Sequence, residues 1–353
     1  MRADRDFAYG AAAGLLGDLL LGDPRRGHPV AAFGRAAAAV ERVLWRDHRG
    51  WGALHTAVCA GGAAAVGALA ARGARRSAAA SVGLTAAATW AVVGGTSLAR
   101  EARAIGGALE AGDLAVARER LPHLCGRDPQ ALDAAGIARA VVESVAENTS
   151  DAVVGALVWG AAAGVPGLVG FRAVNTLDAM VGHKSARYRR YGWASARLDD
   201  VAGWPGARLT AVLAAAAGGD PRGAVRAWRA DARRHPSPNA GVVEASFAGA
   251  LGVRLGGTLS YGGRVEHRPV LNAGGRDVVV ADIERAVRLS QRVSWLALGA
   301  AVAARGGLAG RLAKGRPAPG AVPRPGRGED RPRAGSRSNG SRLPRRAHGE
   351  GAA

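Results

Sequence analysis

The chain is poor in cysteine: 353 residues hold two, Cys59 and Cys125. They are too few and too far apart for a metal knuckle or a disulfide framework, so both read as plain buried or loop thiols. Aromatics make up only 5% while hydrophobic residues reach 48%. Ala, Leu and Val therefore carry the apolar character, which suits close-packed helices better than sheets. Acids are scarce beside bases, 28 against 48, giving a formal charge of +20. Such a balance invites a nucleic-acid partner. No nucleic-acid-binding motif accompanies it, however, and the bases are almost all arginine, spread between apolar runs and concentrated after Arg311. A positive-inside bias and a GC-rich coding bias account for it better, so no nucleic-acid partner is expected.

The abundant residues point to a bilayer. The 53 glycines would weaken soluble helices, yet they let membrane helices approach closely. The apolar runs Trp51–Ala71 and Ser77–Ala99 have the length and lack of charge of spans, joined by the arginine-rich turn Arg72–Arg76. Three further runs are less regular. Phe7–Gly22 is short and carries Asp18, Ala152–Gly170 is broken at Pro166-Gly167, and Val293–Gly310 carries Arg305. The expected fold is an all-α polytopic membrane bundle with about four or five spans, some discontinuous or re-entrant, plus short soluble helices and loops. Residues 1–310 form that domain, and 311–353 is a basic tail too rich in Pro, Gly and Arg to build a core. No small-residue cleavage site comes after the first run, so no cleaved signal peptide is expected. Leu251–Asn272, rich in glycine, reads as an ordered loop or short hairpin.

Chemistry concentrates between Glu143 and Asp200, where acids, amides and one lysine sit among apolar residues. Ionised groups there are costly unless paired, hydrated or metal-bound. Glu143, Glu147 and Asp151 fall at i, i+4 and i+8, on one face of a regular helix, with Asn148 beside them. Like charges so spaced repel; with an apolar run starting at Ala152, a divalent cation or a cationic partner is a better account than a solvated face. Mg²⁺ suits hard oxygen ligands that leave room for water and phosphate. Asn175 and Asp178 echo Asn148 and Asp151 at the same spacing. Lys184, Arg187, Arg189, Arg190 and Arg197 come next, the mixture expected where Mg²⁺ and cations hold phosphate. Gly182-His183-Lys184-Ser185 is not a P-loop, since its upstream glycine is absent. Two His-Pro turns, GDPRRGHPV with Asp23 and His28, and HPSPNAG with His235 and Asn239, present further polar groups.

GDPxxxHPV, ESVAENTSD, RAVNTLDAMVGHKSARYRRYGWASARLDD, HPSPNAG and GALGVRLGG, in that order from about Leu15 to Leu298, resemble the CobD/CbiB family of adenosylcobinamide-phosphate synthases. The resemblance implies a multi-pass enzyme of the cell membrane, with its site facing the cytoplasm. It would join aminopropanol phosphate or ethanolamine phosphate to adenosylcobyric acid, using ATP and Mg²⁺, beside other corrinoid-pathway enzymes. Asp23, His28, Glu147, Asp178, Lys184 and His235 are then expected to act catalytically. Asn148, Asn175, Arg187, Arg197, Asp199 and Asn239 would contact nucleotide or substrate, and Glu143, Glu147, Asp151 and Asp178 would hold Mg²⁺. The chain departs from the family at His183, usually tyrosine, and at Val242-Val243, usually Trp-Pro; both touch substrate fit rather than reaction class. A membrane Mg²⁺-dependent prenyl or phosphoryl transferase and a non-catalytic membrane sensor are the rival readings.

Overall fold

The structure, a computed structural model, describes residues 2–24, 27–261 and 264–314. Helices begin and end where the sequence interrupts its apolar runs. α1 (Arg2–Leu21) stops at Gly22, whose φ of +64° suits glycine and little else. His28 caps α2 (Pro29–Leu44) by accepting Val30 N–H on Nδ1 at 3.1 Å, and His48 caps α3 (Arg49–Ala74) in the same way through Gly50 at 3.0 Å. Next in the chain are α4 (Ala78–Val92), α5 (Gly95–Glu110), α6 (Leu114–Arg120) and α7 (Ala134–Asn148). A single π-helical turn, Thr149–Val154, then leads into α8 (Gly155–Ala163). The chain reverses at Gly164, φ +69°, and α9 (Val165–Val181) starts with Pro166 in its first turn. The discontinuity expected at Pro166-Gly167 thus lies two residues earlier, because proline fits a helix start and the left-handed glycine supplies the break.

α10 (Trp193–Ala217), α11 (Pro221–Asp231) and α12 (Ala240–Leu251) precede an antiparallel hairpin, β1 (Leu255–Tyr261) with β2 (Arg264–Leu271), and then α13 (Ala281–Lys314). The hairpin is the one anticipated in the glycine-rich segment, so the fold is mainly rather than wholly helical. α12 is buried along its whole length, against α7, α10 and α11. Glycine makes that closeness possible: Gly249 of α12 lies against the backbone of Gly223 in α11, and Gly206 of α10 against Gly155 of α8. Both cysteines are free, Cys59 buried and Cys125 half-buried.

Among the described residues two stretches, Arg49–Ala74 and Ala78–Glu110, are long and apolar enough to cross a membrane. The second is α4 and α5 with a step at Val93-Gly94. The remaining expected spans are divided among α1, the α8–α9 pair and part of α13. The expected tail, beyond Lys314, lies outside the described residues.

α13 is tied down by Asp282, which is fully buried and accepts from Arg276 (2.7 Å), Arg285 (2.6 Å) and Val279 N–H (2.9 Å). Burial disfavours its charge, but these donors together outweigh that and hold its carboxyl below the ordinary range. Such a group stabilises the fold above the ordinary carboxylate value of about 4, and the contribution is lost as pH falls through the lower folded value. Asp282→Asn should cost about 2 kcal/mol at neutral pH, given that its arginine partners are half-exposed. Thermal melting in detergent should show the gap between wild type and variant closing below pH 4; a gap independent of pH would refute the assignment. Gly249→Ala, whose Cβ would meet the Gly223 carbonyl, should cost about 2 kcal/mol in the same assay, since neither backbone can yield.

Candidate functional site

The π turn decides where the acids point. A regular helix from Glu143 to Asp151 would stack its three carboxylates on one face, but the wider turn at Thr149–Val154 rotates the residues beyond it. Glu143 is 2% exposed, and both its oxygens are engaged, Oε1 by Gly256 N–H at 2.6 Å and Oε2 by Arg127. It bolts β1 to the loop before α7. Glu147 keeps exposed surface and Asp151 is half-buried, although both are closely walled by protein, as groups lining a deep cleft are.

Glu147 and Asp151 share that cleft with acids from two other helices. Asp178, near the end of α9, and Asp199, in α10, lie within electrostatic reach of Glu147 and Asp151 and of each other. Burial comes first in raising the carboxyls of Glu147, Asp151 and Asp199, and repulsion from the neighbouring acids adds to it. Asp199 is pushed up to about 7, chiefly by burial and then by Asp178, against a bond from Asn175 Nδ2 at 3.4 Å. Cations come from dispersed segments. Arg172, one turn before Asn175 on α9, donates to Asn175 Oδ1 at 3.4 Å and faces both Asp151 and Asp23. Arg268, on β2, and Arg127 act on Glu147 and on the buried Glu244 of α12.

The two His-Pro turns flank this cluster. In the first, His28 spends Nδ1 on its helix cap, so the neutral ring carries its proton on Nε2, 3.4 Å from Asp23 Oδ1. The GDP turn joins the cluster through Asp23 and Arg172. In the second, His235 is buried, with Nδ1 3.1 Å from Ser237 N and Nε2 3.3 Å from Arg268 Nη1 and 4.0 Å from Glu244 Oε1. Burial, then the charge of Arg268, depresses its pKa, so the ring is neutral and able to take a proton.

Other expected site residues serve elsewhere. Asn148 donates to Ser144 O at 2.9 Å within its own helix. Asn239 is a bolt, donating to Asp200 O at 2.8 Å and accepting from Arg208 at 2.6 Å. Arg187 pairs with Glu41 at 3.0 Å and stacks on Trp45, pinning the 182–192 loop to α2. Lys184 is exposed. Arg197, its side chain 77% exposed, reaches only Asp200 among the described residues, at 3.5 Å, on the rim. Among the described residues no three His, Cys, Asp or Glu side chains form a ready-made metal cluster. The donor set nonetheless suits Mg²⁺: several hard carboxylate oxygens share one cleft with too few cations to neutralise them, and that ion binds through few protein ligands while keeping its waters. Glu143, bonded on both oxygens, is not available to it.

Arg172, Arg268, Glu244 and Asp200 were not singled out from sequence. Arg172 shares the helical stripe of Asn175 and Asp178, a signal that was present. Arg268 and Glu244 gave none, being brought in by tertiary packing alone.

Residues 11–290 match the family model described as CobD/Cbib protein. A protein of Mycobacterium tuberculosis named cobalamin biosynthesis protein CobD is 56% identical over 301 residues, covering 84% of this chain and 94% of that protein. Proteins of the same name from Chromobacterium violaceum and Rhizobium meliloti are 45% and 42% identical, over 80% and 77% of this chain and 91% and 89% of theirs. No solved structure matches. A match of this extent, through every element that builds the cleft except the far part of α13, makes the chain a member of the CobD/CbiB family.

Proposed function

We propose that the chain is an adenosylcobinamide-phosphate synthase acting in cobalamin biosynthesis, the process for which its relatives are named. The observation that supports this best is the grouping of Glu147, Asp151, Asp178 and Asp199 with Arg172 and a neutral His235, in a chain of this family. A carboxylate is a poor acylating agent and needs activation before an amine can displace oxygen from it. In this reading a carboxylate of adenosylcobyric acid attacks the γ-phosphorus of ATP, ADP leaves, and an acyl phosphate forms. The amine of aminopropanol phosphate or ethanolamine phosphate then attacks the acyl carbon, the C–N bond forms and phosphate departs.

Each step asks for a group that the cleft holds. Arg172 and Arg268 offset phosphate charge, and the neutral imidazole of His235 takes the proton released by the amine. Bound Mg²⁺ supplies further positive charge to the triphosphate; Asp151, Asp178 and Asp199, with Glu147 at the rim, are the residues that would hold it. His28 keeps Asp23 oriented toward Arg172. The protein is read as multi-pass in the cell membrane, with the cleft on the cytoplasmic side where ATP is supplied. The apolar α3 and α4–α5 stretches and the exposed Leu198, Val201, Trp204 and Val212 of α10 favour that reading.

Membranes containing the folded protein, given adenosylcobyric acid, aminopropanol phosphate and ATP-Mg²⁺, should yield the amide with one ADP per product. Absence of product from wild-type membranes would defeat the proposal. Asp178→Asn should lower kcat by about 100-fold or more without altering membrane insertion. Arg197→Ala should stay within about threefold of wild type, because an exposed pair contributes little. Equal losses in the two variants would show that the cleft is wrongly drawn.

A further inference from the structure

A groove of about 560 Å³ runs between α2, α3, α4 and α9. Its walls are apolar except for Arg172 and Thr176 of α9. Gly67 of α3 meets Pro166 and Val169 of α9, and Gly170 meets Ala64, so α3 and α9 run in opposite senses. The groove therefore leads from the polar cleft at Arg172 to a wholly apolar end at Ala70, Leu84 and Val165. Its mouth includes Val58 and Val66, 48% and 68% exposed, on the helix long enough to cross a membrane.

Three constraints select the occupant. Apolar walls of this extent exclude a wholly polar ligand, and the volume is that of a ligand site rather than a packing defect. A mouth on a helix of membrane-spanning length opens onto lipid rather than water. At the polar end Arg172 Nε is buried with no hydrogen-bond partner among the described residues, while Nη1 reaches Asn175. An unpaired buried donor needs an acceptor oxygen. We propose that the groove binds one acyl chain of a bilayer phospholipid, the oxygen-bearing head turned toward Arg172 and the tail toward Val165. The bound chain braces α9, which carries Arg172, Asn175 and Asp178, and so couples the cleft to the surrounding bilayer. The proposal rests on α3 lying in the membrane and shares Arg172 with the proposed reaction, Nε turned to the lipid head and Nη1 to Asn175.

The full chain in phosphatidylcholine nanodiscs, doped with a phosphatidylcholine bearing a diazirine on its acyl chain, can be irradiated and its adducts mapped by mass spectrometry. Adducts are expected on Val58, Val66, Leu84 and Val169. Gly62→Phe, whose Cβ meets nothing within 4 Å, should fill the groove and lower these by about tenfold or more. Ala36→Phe, entering from α2, should do the same if the first variant folds poorly. Adducts on Val201 and Val212 of α10 should persist in both variants, and their absence in wild type would instead remove the membrane reading. Unlabelled groove residues beside a labelled α10, or groove labelling unchanged in both variants, would overturn the proposal. So would displacement of the adducts by free fatty acid or by a prenyl phosphate but not by added phospholipid.

Discussion

Carboxylates crowded into a low-dielectric cleft repel one another, and the fold is an answer to that repulsion. Glu147, Asp151, Asp178 and Asp199 each make it harder for the others to ionise. Only a rigid frame keeps such groups from separating. Here the frame includes helices in glycine-lined contact, Gly206 of α10 on Gly155 just after the π turn, so the backbones carrying Asp199 and Asp151 cannot slide apart without losing close packing. The arginines that relieve the repulsion come from a loop, a helix and a strand far apart in sequence. Charge balance in the cleft is consequently a property of the assembled fold and of no single segment.

The same residue types divide between holding the site and being the site. Glu143 and Glu147 are one turn apart, yet the first is closed off by Arg127 and the Gly256 amide while the second faces the cleft. Arg187 and Arg172 belong to one motif-bearing stretch, yet the first stacks on Trp45 at the surface and the second faces Asp23 and Asp151. Burial and partner, rather than residue type, separate the roles. Asn239 makes the point again: a polar residue in a His-Pro turn is wholly occupied in joining that turn to α10.

Much of the helical architecture was legible in sequence, because apolar length, proline position and glycine density are local properties. The hairpin after α12 and the two long apolar stretches could be read in the same way. The acids were legible too, as costly residues in an apolar setting, and so was Asp23 in its GDP turn. The arginines were read less well. Proximity in sequence favoured Lys184, Arg187 and Arg197, which come soon after Asp178, whereas Arg268 enters from a strand whose register no local pattern predicts. Arg127 comes from a loop whose partner no local pattern predicts, and that partner, Glu143, is given to metal by the sequence because nothing in it announces the Gly256 amide.

The π turn explains why spacing alone does not place Asp151 relative to Glu143 and Glu147. Motif spacing assumes 3.6 residues per turn, and one wide turn breaks that assumption for every residue beyond it. Such a turn is unfavourable in isolation and persists where tertiary contacts hold it. Thr149 Oγ1 supplies one, to Ser290 Oγ on α13, beside a local bond to Val145 O one turn back, each at 2.6 Å. α13 is itself fixed at its start by Asp282 and its arginines. The direction in which Asp151 points therefore depends on a helix more than a hundred residues downstream. The Thr149–Ser290 bond thus ties the turn that sets Asp151 to α13, so docking of α13 and the arrangement of the acidic cleft favour one another.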